Sequence, residues 1–278
     1  MGKGQRSGRT ALVTGTSSGF GKAIASLLSK NGFNVFGTSR NASGDMADGV
    51  RTLRLDVTSD QSAHECVQEV LALAGRVDAL VNNAGTLTTG AIEEFSIEEA
   101  KSQFETNFFG VARMTKEVLP IMRRQKEGQI INISSVGGLL PSPFEGFYIA
   151  SKHAIEGYTE SLRLEVKALG IKVSLVEPGF FKTGLFGAEM PTKSHIETYD
   201  AERNNASLVR EVEHRQKALN PTIVAEVVLR ILNSRSPRIR YAVGREKGAI
   251  RMKALVPEGM YENFTRRHWK LDQPAPAS

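Results

Sequence analysis

The chain has 278 residues, a net charge of +6, and 40% hydrophobic and 24% charged residues, as is typical of a soluble globular protein with a full core. Its single cysteine, Cys66, excludes an intramolecular disulfide and a thiolate metal cluster, and the five histidines form no metal-ligand pattern. No stretch approaches the roughly 18 apolar residues of a membrane span and no apolar signal core follows the basic start, so we expect a cytoplasmic protein.

The positive charge is concentrated at the two ends of the chain. Residues 238–272 hold nine Lys and Arg against four Asp and Glu. This distribution does not give the basic face that a nucleic-acid-binding domain needs. The basic C-terminal part could contact phosphates, an acidic lipid surface or a partner protein, although such runs are more often solvated helix faces.

Short apolar runs alternate with helical patterns along most of the chain. The runs carry Val, Ile and Leu at successive positions, which is typical of strands buried on both faces. The predicted strands cover residues 11–14, 34–38, 52–56, 79–82, 130–134, 173–177 and 239–243. Long helices are predicted over residues 97–122, ending near Pro120, and over residues 147–169. This alternation predicts one α/β domain with a doubly wound parallel sheet of about seven strands.

A glycine-rich loop follows the first predicted strand and opens an amphipathic helix. Its sequence is Thr14-Gly15-Thr16-Ser17-Ser18-Gly19-Phe20-Gly21. Glycines at such a junction permit a tight turn and a close approach to a pyrophosphate, and the helix N-terminus offers free N–H groups. We therefore expect cofactor contacts from Gly15, Ser17, Ser18, Gly19, Phe20 and Gly21.

Tyr148 and Lys152 stand four residues apart at the start of a predicted helix, on one face of it. An adjacent ammonium stabilises a phenolate and lowers the pKa of a phenol. Ser135 ends the preceding strand, where its hydroxyl could meet Tyr148 above the sheet. A donor beside an acid/base is what a carbonyl or alcohol oxygen needs during hydride transfer. An ordinary surface Tyr–Lys pair would show the same local pattern, so this segment alone leaves both interpretations open.

Together these motifs resemble the short-chain dehydrogenases/reductases, in the compact branch with Thr-Gly-x-x-x-Gly-x-Gly near the N-terminus. The resemblance covers residues from about 10 to about 243. Beside the glycine loop, the matching motifs are Asn82-Asn83-Ala84-Gly85, Asn107 in Thr-Asn-Phe-Phe-Gly, Ser135, Tyr148-Ile-Ala-Ser-Lys152, and Pro178-Gly179 followed by Thr183. The resemblance implies a Rossmann-type domain over residues 1–243 and a basic helical extension over residues 244–278.

The resemblance also implies four catalytic residues. Tyr148 would be the general acid/base, Lys152 would lower its pKa and hold the nicotinamide ribose, and Ser135 would polarise the substrate oxygen. Asn107 would hold a water that links Lys152 to solvent. Ser134 adjoins Ser135, but the family's interval selects Ser135, and neighbouring strand residues face opposite ways.

Further cofactor contacts follow from the same resemblance. They are Asp56 and Val57 at the adenine, Asn83, Ala84 and Gly85 beside the adenosine, and Pro178, Gly179, Phe181 and Thr183 at the nicotinamide, where Tyr148 and Lys152 also lie. The second strand ends at Ser39-Arg40, and residues 34–44 contain no Asp or Glu. An acid there would repel a 2′-phosphate, whereas a guanidinium can bind it. We therefore predict NADP(H) rather than NAD(H), although Arg40 stacked over the adenine would also suit NAD(H).

Apolar side chains flank the catalytic motif and follow the nicotinamide motif, either as core residues or as walls of a hydrophobic pocket. The predicted substrate contacts are Leu140, Phe144, Phe180 and Phe186, together with Ser135 and Tyr148. They predict a bulky hydrophobic ketone, aldehyde or secondary alcohol. In Ser-Gly-Phe-Gly and Glu-Gly-Tyr-Thr-Glu-Ser-Leu the chain is also similar to hydroxysteroid and retinol dehydrogenases. Residues 184–217 correspond to a mobile substrate lid in this family.

The resemblance further implies a homodimer or homotetramer, because the helices at 97–122 and 147–169 pair between subunits in this family. Trp269, with Met260, Tyr261 and Phe264, could pack the C-terminal extension on the domain or cover the pocket mouth.

Three alternatives stand beside the prediction of an NADP(H)-dependent oxidoreductase. A non-catalytic NADP(H)-sensing regulator on this fold usually lacks the tyrosine or the lysine, and both are present here. A sugar-nucleotide epimerase carries Gly-x-x-Gly-x-x-Gly spacing instead. An NAD-dependent dehydrogenase of the hydroxysteroid or retinol type would differ only in its cofactor.

Overall fold

The computed structural model describes residues 8–42, 46–185 and 187–274. Its strands are β1 (Thr10–Val13), β2 (Asn34–Ser39), β3 (Met46–Ala47), β4 (Val50–Arg54), β5 (Ala79–Asn82), β6 (Thr88–Thr89), β7 (Gly128–Ile133), β8 (Ile171–Pro178), β9 (Met190–Pro191) and β10 (Arg240–Val243). Its helices are α1 (Gly19–Lys30), α2 (Asp60–Ala74), α3 (Ile97–Phe104), α4 (Gly110–Gln125), α5 (Gly146–Val166), α6 (Asp200–Lys217), α7 (Thr222–Asn233), α8 (Lys247–Leu255) and α9 (Glu258–His268). A π-helical segment, Glu105–Phe109, joins α3 to α4.

One sheet within those residues has the strand order β10-β8-β7-β5-β1-β2-β4-β3. Every neighbouring pair runs parallel except β3 with β4, whose short edge pairing is antiparallel. β6 and β9 form a separate two-stranded ribbon. The predicted doubly wound, Rossmann-type α/β fold is therefore confirmed.

The sheet is buried on both faces because its central strands alternate their side chains between two helical layers. On β1, Val13 packs with residues of α1 and α7 such as Ile24 and Val228. The adjacent Leu12 packs on the opposite side, with residues of α2 and α4 such as Val67. The same alternation at Leu80 and Val81 explains why these strands appear in the sequence as continuous apolar runs.

The order of strands reverses between β1 and β5, and this reversal positions the site. Chain connections from β1 lead to one side of the sheet and those from β5 to the other, so a crevice opens at their carboxyl ends. The glycine loop follows β1, and Asn83–Gly85 follow β5 at the same edge.

Several element boundaries differ from those predicted, and those of α4 and β4 have a clear physical reason. α4 passes through Pro120 and ends at Gln125, where Lys126 takes a left-handed conformation with φ 57°. Proline removes one helical N–H, but the buried face of Ile121 and Met122 continues beyond it. The strand predicted over 52–56 lies at Val50–Arg54, because alternate burial continues after the last sheet hydrogen bond.

Residues 184–217, which the resemblance assigns to a substrate lid, contain the regular helix α6. α6 buries Ala206, and the Asn205 Nδ2 donates to the carbonyls of Lys270 (3.1 Å) and Gln273 (2.9 Å). The C-terminal extension thus contacts α6, and Trp269 is buried at the end of α9. In the described part of the chain, no helix combines the length and apolar character that a transmembrane segment requires.

Candidate active site

The glycine loop is held compact by contacts that only glycine allows. A Cβ on Gly21 would lie 2.1 Å from the Gly15 carbonyl oxygen, and Gly15 itself has φ +69° beside Ala84. Gly19, with φ +56°, faces Thr183 across the crevice, and a Cβ there would come within 3.3 Å of the Thr183 Cβ. Ser17 and Ser18 are exposed at the start of α1. This exposed loop at a helix N-terminus fits the pyrophosphate of a dinucleotide.

Asn83 ties the two loops of the crevice together. Its Nδ2 donates to the carbonyls of Thr14 and Gly15, each at 2.9 Å. The Thr14 Oγ1 accepts from the backbone N–H of Asn83 (2.9 Å) and of Ala84 (3.0 Å). Gly85 follows at the surface, beside Asn107. Asn83 therefore shapes the end of the crevice predicted for the adenosine, because its side chain holds the glycine loop.

The predicted adenine end brings Arg40 and Asp56 together. The Asp56 Oδ1 accepts from the N–H (2.9 Å) and hydroxyl (2.7 Å) of Thr58, and these bonds lower the pKa of Asp56. The nearby guanidinium of Arg40 lowers that pKa further. Arg40 is exposed, Ser39 is half-buried, and Val57 is buried behind them. A cationic side chain thus borders the region predicted for the adenosine.

Ser135 and Tyr148 meet above the carboxyl end of β7. The hydroxyl of Ser135 hydrogen-bonds the side chain of Tyr148 and also accepts from the Gly137 N–H at 3.0 Å. The neighbouring Ser134 is buried and faces Glu156 on the other side. The opposite orientation of the two serines follows the prediction that selected Ser135.

Desolvation acts on Tyr148 against the effect expected of Lys152. The sequence suggested that Lys152 lowers the pKa of this phenol, yet burial raises it to about 12, and Glu145 adds to the rise while Ser135 opposes it. The Lys152 Nζ lies 5.7 Å from the centroid of the Tyr148 ring and donates to the Ile133 carbonyl at 3.1 Å. Desolvation is the largest cause of this rise, because a phenolate removed from water loses its hydration.

Burial also acts on Lys152. It lowers the pKa of the ammonium to about 8, while the carboxylate of Glu156 opposes this fall. A half-buried phenol and a buried amine therefore lie side by side, each disfavoured in its charged form.

Asn107 is fully buried in the π-helical segment. Its Oδ1 accepts from the Thr86 N–H at 2.8 Å, and its Nδ2 donates to the Thr86 carbonyl (3.0 Å) and the Ser151 hydroxyl (3.2 Å). These bonds use both ends of the side-chain amide. A water relay at this position would therefore bind the backbone carbonyl, since π segments interrupt the regular helical hydrogen bonds.

The predicted nicotinamide end follows β8. Pro178 ends that strand, and the Gly179 N–H donates to the Val243 carbonyl at 2.8 Å. A Cβ on Gly179 would lie 1.7 Å from a carboxylate oxygen of Glu246, so a side chain here would require Glu246 to move. Phe181 packs in the core, edge-to-face with Phe20 at 5.3 Å between ring centroids. The rings of these two predicted cofactor residues thus hold the loops around the crevice by packing on each other.

The predicted substrate residues lie on several loops. Leu140 and Phe180 are half-buried, and Phe186 lies outside the described residues. Phe144 has φ +61°, a costly conformation for an aromatic residue, and its ring lies 5.9 Å from the Arg203 guanidinium carbon. It borders an open cleft of about 520 Å³ that is also lined by Ile92, Pro143, Glu93, Glu202 and Arg266. The cleft is thus lined by both apolar and charged side chains.

Several supporting residues were not predicted. The Thr38 carbonyl accepts from the Thr16 N–H at 2.8 Å, and its Oγ1 accepts from the Gly15 N–H at 3.2 Å. Glu156 and Arg240 form a buried ionic contact behind Lys152. The signal in the sequence was a polar or charged residue on an otherwise apolar pattern. For Glu156, however, the partner Arg240 lies 84 positions away in the sequence.

Comparisons with known proteins agree with this geometry. The family model for short chain dehydrogenases matches residues 9–194. A 3-ketodihydrosphingosine reductase of Bacteroides thetaiotaomicron is 39% identical over 258 residues, which cover 92% of this chain and 96% of that protein. Retinol dehydrogenase 8 of Bos taurus is 34% identical over 272 residues, 90% of this chain and 86% of that protein.

Solved structures share the whole architecture. A short-chain dehydrogenase from Streptomyces avermitilis superposes with a TM-score of 0.81 at 35% identity, covering 95% of this chain and 96% of its own. ElxO with NADP bound gives 0.72 at 27% identity, with 87% and 99% covered. A family member from Burkholderia phymatum in complex with NAD gives 0.77 at 26% identity, with 99% and 100% covered. The chain belongs to the short-chain dehydrogenase/reductase family and is an oxidoreductase that acts on CH–OH and C=O groups with a nicotinamide cofactor.

Proposed function

We propose that this enzyme interconverts a hydrophobic ketone or aldehyde and the corresponding alcohol, with NADP(H) as its cofactor. The observation that carries the proposal is the meeting of Ser135, Tyr148 and Lys152 at the carboxyl end of β7, beside the crevice. A nicotinamide cofactor held there supplies the hydride for reduction or accepts it in oxidation.

Each of these side chains has a task that its surroundings support. Because burial keeps Tyr148 protonated at neutral pH, its phenol donates a proton to the carbonyl oxygen as that oxygen gains negative charge. The Ser135 hydroxyl polarises the same oxygen. Lys152 stabilises the phenolate that remains, since a cation beside it offsets the cost of burying the anion. In oxidation the same groups act in reverse.

The preference for NADP(H) rests on Arg40. Its exposed guanidinium lies near Asp56, at the end of the crevice predicted for the adenosine. Arginine binds phosphate through charge-assisted, often paired hydrogen bonds. Ser39 offers a further hydroxyl at the same place. Solved relatives carry NADP in one case and NAD in another, so the choice for this chain rests on this side chain.

The proposed substrate is an amphiphile with a long or bulky apolar part. Two relatives are named for substrates of this kind, a 3-ketodihydrosphingosine and a retinol. The apolar lining residues Ile92, Pro143 and Phe144 would receive the apolar part. The charged lining residues Glu93, Glu202 and Arg266 would suit a polar head.

The test is NADPH consumption with a panel of hydrophobic ketones and aldehydes that includes 3-ketosphinganine, steroid and retinoid compounds. We expect turnover that Tyr148→Phe lowers by at least about 100-fold, because general acid catalysis contributes 10²–10⁴-fold. NADPH affinity should persist in that variant, measured by nicotinamide fluorescence. Tight NADPH binding by the wild type without turnover of any compound would instead favour a cofactor-sensing regulator.

A further inference from the structure

A buried carboxylate lies one helical turn beyond Lys152. Glu156 is 4% exposed on α5, on the same helix face as Lys152. A carboxylate is rarely buried to this degree without a partner or a task.

Arg240 of β10 is its ionic partner, but it is shared. The guanidinium contacts Glu156, Glu177 of β8 at 2.6 Å and Glu160 at 2.9 Å. Glu177 is buried as well, whereas Glu160 is half exposed. One cation thus faces three carboxylates, so Arg240 does not neutralise all of them, and Glu156 also acts on Lys152.

The second oxygen of Glu156 points towards the catalytic loop. A Cβ on Gly138 would lie 2.8 Å from the Glu156 Oε1 and 2.8 Å from the Ser134 hydroxyl, so both atoms flank this glycine. Neither atom has a well-formed hydrogen bond to the described residues. The Ser134 hydroxyl still lowers the pKa of Glu156, which burial and Glu177 raise to about 7. The negative charge on the Glu156 Oε1 is therefore not offset by a well-formed hydrogen bond, and it can act on Lys152.

We propose that Glu156, anchored by Arg240, is a positioning residue that keeps Lys152 charged beneath Tyr148 and so sets the pH range of proton transfer. The inference rests on the proposed function of Tyr148 and Lys152. The charged or titratable groups that face this pair are Tyr148 and Glu160 on α5, Glu177 on β8 and Arg240 on β10.

The physical argument is a balance at Lys152. Burial lowers the pKa of the ammonium to about 8, and the carboxylate of Glu156 is the charge that opposes this. Without that carboxylate the pKa of Lys152 falls further, and Lys152 loses its proton at a lower pH. Tyr148 then becomes a weaker acid, because its phenolate lacks a neighbouring cation. Carbonyl reduction should fail at a correspondingly lower pH.

The experiment is the pH profile of kcat for ketone reduction with NADPH in Glu156→Gln. We expect its alkaline limb to move down by about one pH unit, as the loss of one close opposite charge predicts, with the KM for the ketone unchanged. Glu160→Gln is the matched control. It removes another carboxylate from Arg240, two turns from Lys152, and should leave the limb in place.

A second readout does not depend on turnover. The titration of Lys152 can be followed by NMR of ¹³C-lysine-labelled protein, with its signal assigned by its loss in Lys152→Arg. We expect the midpoint of the Lys152 titration to fall by about one pH unit in Glu156→Gln and to be unchanged in Glu160→Gln. If the wild type lacks turnover, the proposed function fails and this titration still tests the inference.

Ser134→Ala is a second variant that tests the inference if Glu156→Gln does not fold. It keeps every ion pair of Arg240 and removes only the hydroxyl that faces Glu156, so a smaller shift in the same direction is expected. An unchanged Lys152 midpoint in folded Glu156→Gln, or in Ser134→Ala should Glu156→Gln not fold, would overturn the inference. Equal shifts in Glu156→Gln and Glu160→Gln would overturn it too, by assigning the effect to Arg240.

Discussion

Single side chains decide the chemistry of the crevice through the cost of burying charge. Burial raises the pKa of Tyr148 to about 12 and lowers the pKa of Lys152 to about 8. Both groups therefore resist ionisation when considered alone. A phenolate next to an ammonium is much less costly, because each charge then has an opposite neighbour. The pair thus favours the protonated phenol before proton transfer and a stabilised ion pair after it.

We expect Arg40 to determine the preference for NADPH over NADH. Arg40→Ser should raise the dissociation constant for NADPH by about 10- to 100-fold, since hydrogen bonds to charged groups contribute about 1.5–3 kcal/mol. Affinity for NADH should change little. Fluorescence titration with both cofactors measures the two constants.

Lys30→Ser is the control, because it removes one exposed positive charge at the far end of α1. An equal loss of affinity for NADPH and NADH in Arg40→Ser would favour stacking over the adenine and contradict the phosphate role.

Among the secondary-structure elements, glycines determine how closely β1, α1 and β5 approach one another. The loop after β1 fits under Asn83 only because Gly21 lacks a side chain: its Cβ would meet the Gly15 carbonyl and the Asn83 Nδ2, at 2.1 and 2.5 Å. The π-helical segment likewise sets Asn107 against Thr86 and Ser151. These elements position the crevice before any ligand enters it.

Gly21→Ala should therefore lower the free energy of unfolding by about 1–3 kcal/mol, the usual cost of overpacking. It should also weaken NADPH binding, because the loop must move away from Asn83. Chemical denaturation and fluorescence titration measure the two effects.

Gly157→Ala provides the comparison on α5. A Cβ there meets nothing within 4 Å, so alanine should stabilise the helix by about 0.5–1 kcal/mol. Normal stability and NADPH affinity in Gly21→Ala would show that the loop tolerates a side chain and contradict the close-packing argument.

At the scale of the whole molecule, the outer face of α5 suggests self-association. Leu164 on this helix is 79% exposed, and Phe109, just before α4, is 47% exposed. Large exposed apolar side chains on neighbouring helices are typical of interfaces. We expect a homodimer or homotetramer that uses this face.

Leu164→Asp should shift the assembly towards monomer in light scattering after size-exclusion chromatography, because the carboxylate would be desolvated at the interface. Leu255→Asp is a matched control, since Leu255 is 83% exposed on α8, away from this face. Dissociation by Leu255→Asp alone would place the interface on the C-terminal extension.

The sequence was sufficient to predict the alternation of strands and helices, the glycine loop and the Tyr148–Lys152 spacing. These features are local, since they depend on periodicity and on residues a few positions apart. The resemblance to a family rested on the same short motifs in order. The sequence did not predict the end of α4, because packing on the sheet extends this helix past Pro120, a residue of low helix propensity.

The charge states of the site residues and their partners depend on the tertiary structure. The pKa of Tyr148 depends on burial, which no spacing of residues specifies. Glu156 meets Arg240 across 84 positions of sequence, and Asn83 meets the glycine loop across almost 70. Such contacts arise when the parallel sheet brings distant strand ends to one edge, and long-range packing of this kind leaves no pattern in a local stretch of sequence.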